Sequence, residues 1–173
     1  MNQVTAILIG AGARGQIYAR YAQEHPEELR IMAVAEPKAD RRALMCRAYG
    51  IPADRAFSNW EDLLARPQMA DAALICTLDD MHTEPTLAAL KQGYHVLLEK
   101  PFTATAAEAR ELFALADAKG LVLMEAITIP YLPQYAFLQA ELPKISEVRG
   151  AMASFCARSA RYDDYLKGIW NTT

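Results

Sequence analysis

Apolar residues in this chain fall into short continuous runs separated by stretches in which they recur every three or four positions. The runs Ile7 to Ile9 and Ile31 to Ala35, together with Asp71 to Cys76, Tyr94 to Leu98 and Leu121 to Met124, have the length of buried strands. Helical spacing fills the intervals: a helix after the glycines that follow Ile9, then Lys38 to Tyr49, Trp60 to Ala65, Thr83 to Gln92, and a helix led by Thr105 that runs to Lys119. The stops agree with this. Gly50 with Pro52 just beyond, Gly93 and Gly120 each stand where a helix should end. Ser58-Asn59-Trp60-Glu61 and Thr105-Ala106-Ala107-Glu108 both have the form of a capping box, a hydroxyl followed three residues later by a glutamate.

Short strands alternating with helices require right-handed crossovers, and therefore a parallel, doubly wound α/β sheet with helices on both faces. The alternation ends near residue 125. Pro130 and Pro133 bracket an expected turn, Tyr135 to Glu141 reads as a helix, and Glu147 to Ser159 is a longer strand-like segment. The expected organisation is one α/β domain over residues 1–125 and the start of a second over 126–173.

The first strand–turn–helix carries chemistry. Gly10, Gly12 and Gly15 occupy the three glycines of G-x-G-x-x-G, directly after an apolar strand and at the mouth of a helix. The first permits a tight turn, the second lets a pyrophosphate approach the backbone, and the third lets helix and strand pack closely. Free N–H groups at the helix start, those of Ala13 and Arg14 among them, carry about half a positive charge towards such an anion. Glu36 ends the second strand, 21 residues after Gly15, where a carboxylate accepts hydrogen bonds from the adenosine ribose hydroxyls. That acid favours NAD over NADP, although Arg41 and Arg42 stand close enough to meet a 2'-phosphate.

The formal net charge of −3 and the 23% of charged residues give no basic stripe for nucleic acid. No apolar run approaches the roughly 20 residues of a membrane span. Val4 to Ala13 lacks the basic flank of an export signal. Cys46, Cys76 and Cys156 are odd in number and without a C-x-x-C pair, so neither a disulfide framework nor a metal site is expected, and a reducing cytoplasm suits them.

Ligands of open parallel sheets lie beyond the carboxyl ends of the strands. Those ends read Thr77-Leu78-Asp79-Asp80-Met81-His82, Glu99-Lys100-Pro101 and Glu125-Ala126. Together with the glycine turn, the stretch HVLLEKPFTATAAEARELF resembles the glucose-fructose oxidoreductase and inositol dehydrogenase family, Gfo/Idh/MocA, over about residues 4–155. The resemblance implies a Rossmann domain that binds a nicotinamide dinucleotide, and a polyol, sugar or cyclitol as the partner in hydride transfer. It implies that Lys100, the lysine of E-K-P, is catalytic and lies beside the nicotinamide, with Glu99, also at the cofactor, orienting it or supporting the loop. Pro101 is a place for a cis bond. Thr77, Leu78 and His82 match the family's T-P-N-x-x-H stretch near the cofactor, with Leu78 and Asp79 in place of its proline and asparagine.

The match is partial. Family members are usually about twice as long, with a C-terminal α/β domain that supplies a D-x-x-x-H histidine as acid/base, whereas His25, His82 and His95 are the only histidines here. The family's M-E-A-x-x-x-R-x-x-P becomes Met124-Glu125-Ala126 with Pro130 in the arginine's place. Impaired or absent turnover is therefore expected of this chain, the alternative being a non-catalytic NAD-binding module. The strand over residues 146–158 has two weakly polar faces and is expected to pair with another copy, giving a homodimer or larger assembly.

Overall fold

A computed structural model describes residues 3–144 and Met152. The chain divides into two units, Met1–Ile127 and Thr128–Thr173. The segment expected to pair between copies lies, but for Met152, outside the described residues.

In the first unit six strands form one sheet. They are β1 (Val4–Ile9), β2 (Leu29–Ala35), β3 (Ala56–Phe57), β4 (Ala72–Ile75), β5 (His95–Leu98) and β6 (Leu123–Glu125). Every neighbouring pair is parallel, in the order β3-β2-β1-β4-β5-β6. The helices between them are α1 (Ala13–Glu24), α2 (Ala39–Tyr49), α3 (Trp60–Leu64), α4 (Thr83–Gln92) and α5 (Ala106–Lys119). Alternate strand residues serve opposite faces. Ile7 and Ile9 of β1 pack with Ala73 and Ile75 of β4 against Leu63, Leu90 and Leu112 of α3, α4 and α5. Ala6 and Leu8 pack instead with Leu74 against Ala19 and Met45 of α1 and α2. Both faces of β1 are thus dry, and each large side chain so buried contributes roughly 1.5–3 kcal/mol.

The helix stops are as the glycines predict. Gly50, Gly93 and Gly120 are left-handed C-caps of α2, α4 and α5. Thr105 and Glu108 make the reciprocal capping box at the head of α5. The other box is corrected by one residue. Asn59, not Ser58, caps α3, its side-chain oxygen accepting the Asp62 N–H at 2.7 Å; an asparagine caps as well as a serine and here sits one step nearer the helix. Strand β3 has no apolar run behind it and was not foreseen.

At the amino ends of the strands Asp71 accepts the Thr5 N–H at 2.8 Å and the Thr5 hydroxyl at 2.6 Å. Those bonds hold its carboxyl below the usual carboxylate range. His95 Nδ1 accepts the Val122 N–H at 2.9 Å. Cys46 and Cys76 are free thiols. No described helix is long and apolar enough to cross a membrane.

In the second unit Ile129–Tyr131 forms a single 3-10 turn and α6 spans Pro133–Glu141. Pro133, expected to close a turn, instead starts the helix, because proline at the first helical position forfeits no hydrogen bond and has its φ already set.

Candidate functional site

Sheet order reverses between β1 and β4: the chain winds outward through β2 and β3, then returns to build β4, β5 and β6 on the other side. The crevice beyond the carboxyl ends of these two strands is where an open sheet takes a ligand. The residues singled out from sequence are gathered at that edge: Gly10, Gly12, Ala13, Arg14 and Gly15 after β1, Glu36 after β2, Thr77 and Leu78 with His82 after β4, Glu99 and Lys100 after β5.

Packing requires two of the three glycines, each for its own reason, and leaves open space at the third. Gly10 has φ +89°, and a Cβ there would stand 2.4 Å from the Cys76 carbonyl oxygen, so the exit of β1 lies hard against the exit of β4. A Cβ on Gly15 would lie 2.1 Å from the carbonyl oxygen of Gly10. Gly12 is the exception. Its nearest neighbour would be Arg41 Nη1 at 3.9 Å, so the absent side chain leaves a cradle on the ligand side. Gly12 is also the N-cap of α1, with no side-chain capping bond and no acid in the first turn. The donors at this helix end and the open cradle together suit a phosphate group.

Glu36 is 4% exposed and braces the turn from below. One carboxylate oxygen accepts the Ala11 N–H at 2.7 Å and the other the Lys38 N–H at 2.9 Å. A carboxylate has about four lone-pair sites, so two acceptor positions remain beyond these bonds. Arg42 Nη1 donates to the carbonyl oxygens of Glu36 at 2.5 Å and Pro37 at 3.2 Å, which commits it to the backbone. Arg41 is the arginine at the glycine turn.

At the end of β5, Glu99 is buried and Lys100 exposed. Glu99 pairs with Arg14 Nε at 3.1 Å, accepts the Tyr18 hydroxyl at 3.2 Å and accepts the Lys100 backbone N–H. Burial, and then the charge of Glu99, push the Tyr18 phenol up to about 12. Burial also pushes the Cys76 thiol up, so beside Glu99 it stays neutral and inert. The Lys100 ammonium has no partner among the described residues.

The Lys100-Pro101 bond is cis. The carbonyl oxygen of Pro101 lies 2.7 Å from His82 Nδ1, and the Thr77 carbonyl oxygen lies 3.3 Å from His82 Nε2. His82 is 1% exposed, with both ring nitrogens facing carbonyls. The Thr77 hydroxyl donates to the Met81 carbonyl at 3.0 Å, while Leu78 is exposed. Tyr18 is the residue that sequence reasoning missed. Its spacing from Arg14, one helical turn on a common face, was the available signal.

The chain matches the sequence profile of the GFO_IDH_MocA family, described as the oxidoreductase family with an NAD-binding Rossmann fold, over residues 4–127. It is 34% identical to the scyllo-inositol 2-dehydrogenase (NADP(+)) IolU of Bacillus subtilis over 142 residues, which cover 82% of this chain and 42% of that protein. With the trans-1,2-dihydrobenzene-1,2-diol dehydrogenase of Oryctolagus cuniculus it shares 33% identity over 151 residues, 86% of this chain and 45% of the other. Among solved structures, the WlbA dehydrogenase of Bordetella pertussis, in complex with NADH and UDP-GlcNAcA, superposes with a TM-score of 0.74 at 18% identity, over 83% of this chain and 42% of that one. The chain therefore spans less than half the length of these relatives.

Proposed function

Since the chain belongs to the Gfo/Idh/MocA family and is an NAD(P)-binding oxidoreductase domain of Rossmann type, we propose that its glycine turn holds the pyrophosphate of a nicotinamide dinucleotide, NAD in preference to NADP, and that Lys100 serves hydride exchange with a polyol, sugar or cyclitol hydroxyl. The observation that carries this reading is the open space at Gly12, the N-cap of α1, where an added Cβ would meet no atom closer than 3.9 Å. The N–H groups of Ala13, Arg14 and Gly15 bind the pyrophosphate, and Glu36 offers its remaining lone pairs to the adenosine ribose. Thr77 and Leu78 line the route from there to the nicotinamide. His82, near the cofactor in this reading, also holds the backbone at Pro101.

The nicotinamide supplies the hydride exchange when bound. Lys100 would present an exposed ammonium to the carbinol oxygen and stabilise the negative charge that oxygen carries once its proton has passed to a base and before hydride leaves to form the carbonyl, or gains when hydride is delivered to the carbonyl. On a polyol and sugar panel, Lys100→Ala should lower whatever NAD-dependent oxidation the native protein shows by about 10²- to 10⁴-fold, and turnover unchanged by Lys100→Ala would refute the role given to Lys100.

Calorimetric titration with NADH and NADPH tests the cofactor assignment. Native protein should favour NADH, and Glu36→Ala should narrow the ratio by about tenfold, because the ribose contacts and the repulsion of a 2'-phosphate are removed together. An unchanged ratio would move the discrimination to Arg41. Failure of both nucleotides to bind the native chain would sink the proposal as a whole.

A further inference from the structure

The segment that carries Lys100 is held by one buried carboxylate to the helix that starts at the glycine turn. Glu99 Oε1 receives Arg14 Nε and the Tyr18 hydroxyl, and Oε2 receives the Lys100 N–H. Arg14 and Tyr18 lie four residues apart on one face of α1, and Arg14 is in its first turn, beside Gly12. The Cys76 thiol is neutral, and the phenol of Tyr18, pushed up to about 12, stays protonated and remains a donor through neutral pH. From the other side His82 Nδ1 lies against the Pro101 carbonyl. The backbone on both sides of the Lys100 side chain is thus anchored, in front by Glu99 and behind by His82.

A buried carboxylate is costly unless its lone pairs are met. Removing either α1 donor leaves Glu99 under-satisfied and free to turn towards water or towards another donor, and its bond to the Lys100 N–H changes with it. We infer that Tyr18 and Arg14 are positioning residues that act through Glu99 to set the place of the Lys100 ammonium. The inference rests on the reading of Lys100 given above, to which it adds two residues that touch neither substrate nor lysine side chain.

The test uses the whole 173-residue chain with its lysines reductively methylated with ¹³C, the Lys100 resonance being assigned by Lys100→Arg. Tyr18→Phe and Arg14→Gln should each displace that resonance and, in unmethylated protein, change the rate of Lys100 acylation by at least about twofold. Arg14→Lys should restore both. In a Glu99→Leu background, which leaves no acceptor for the hydroxyl, Tyr18→Phe should add nothing. A Lys100 resonance and acylation rate that are the same in Tyr18→Phe and Arg14→Gln as in native protein would overturn the inference, and so would an effect of Tyr18→Phe that persists without the Glu99 carboxylate. Should Tyr18→Phe fail to fold, Arg14→Gln on its half-exposed side chain decides the matter alone. The variants are read without nucleotide, so the outcome stands apart from cofactor binding. Displacement of Lys100 by the variants, with no response of native protein to NADH, would uphold the positioning network and refute the proposed cofactor site.

Discussion

Gly15→Ala should lower the melting temperature by about 4–8 °C, a large effect for the addition of one methyl group. A Cβ at this position would lie 2.1 Å from the Gly10 carbonyl oxygen and 3.3 Å from Leu8 Cδ1. The first of these is backbone, and it belongs to a turn fixed from both sides: Gly10 N–H donates to the Ala35 carbonyl at 2.8 Å, and Gln16 Nε2 donates to the Ala11 carbonyl at 2.9 Å. The turn cannot yield cheaply. Overpacking of this kind costs about 3 kcal/mol, against which alanine recovers about 1 kcal/mol of helix propensity. The difference of about 2 kcal/mol corresponds to the stated shift for a chain of this size. A thermal melt by circular dichroism measures it, and an unchanged midpoint would mean that α1 starts farther from β1 than the distances here require.

Gly12→Val should do the opposite, leaving the fold in place and removing the ligand. The backbone at Gly12, φ −68° and ψ −168°, is open to any residue, and a Cβ would find no atom closer than 3.9 Å. The stability cost is confined to a poorer helix cap, within about 1 kcal/mol. The valine methyls would occupy the cradle where a phosphate has to come within hydrogen-bond reach of the α1 N–H groups. Losing one or two charge-assisted bonds is worth about 3 kcal/mol, or roughly a hundredfold in affinity. NADH fluorescence titration, read beside the melt, separates the two effects. Undiminished binding in a folded Gly12→Val protein would remove the pyrophosphate from this turn.

These two glycines look alike in the sequence, and it is the fold that divides their work. Sequence was sufficient for the strand–turn–helix order because each step has a local cause: apolar runs for strands, left-handed glycines for helix ends, a threonine–glutamate pair for the cap of α5. It was insufficient where the cause lies far along the chain. Strand β3 is two residues long and exists because β2 offers it an edge at Val34 and Ala35. The frame of the α3 cap depended on whether Ser58 or Asn59 stood nearer Asp62, a matter of backbone direction. At the site, the positions of Glu36 and Lys100 at strand ends were legible from spacing, while the role proposed for Lys100 came with the family resemblance. The grip of Arg14 and Tyr18 on Glu99 joins residues 81 or more positions apart, and the clamp of His82 on Pro101 spans 19. No periodicity encodes such pairs; only the sheet order brings them together.

That sheet order also sets a timetable for synthesis. Strand β1 is made first, yet it is an inner strand, with β2 on one side and β4 on the other. Gly10 turns against the carbonyl of Cys76, so the ligand face of the glycine turn has no wall until β4 has been added. Between the making of Gly15 and that of β4, the nascent chain carries the complete G-x-G-x-x-G motif with one long edge of β1 unpaired, a surface prone to recruit other strands. Within this sheet, the interval between the making of β1 and that of β4 is therefore the one in which newly made protein depends most on being shielded from its neighbours.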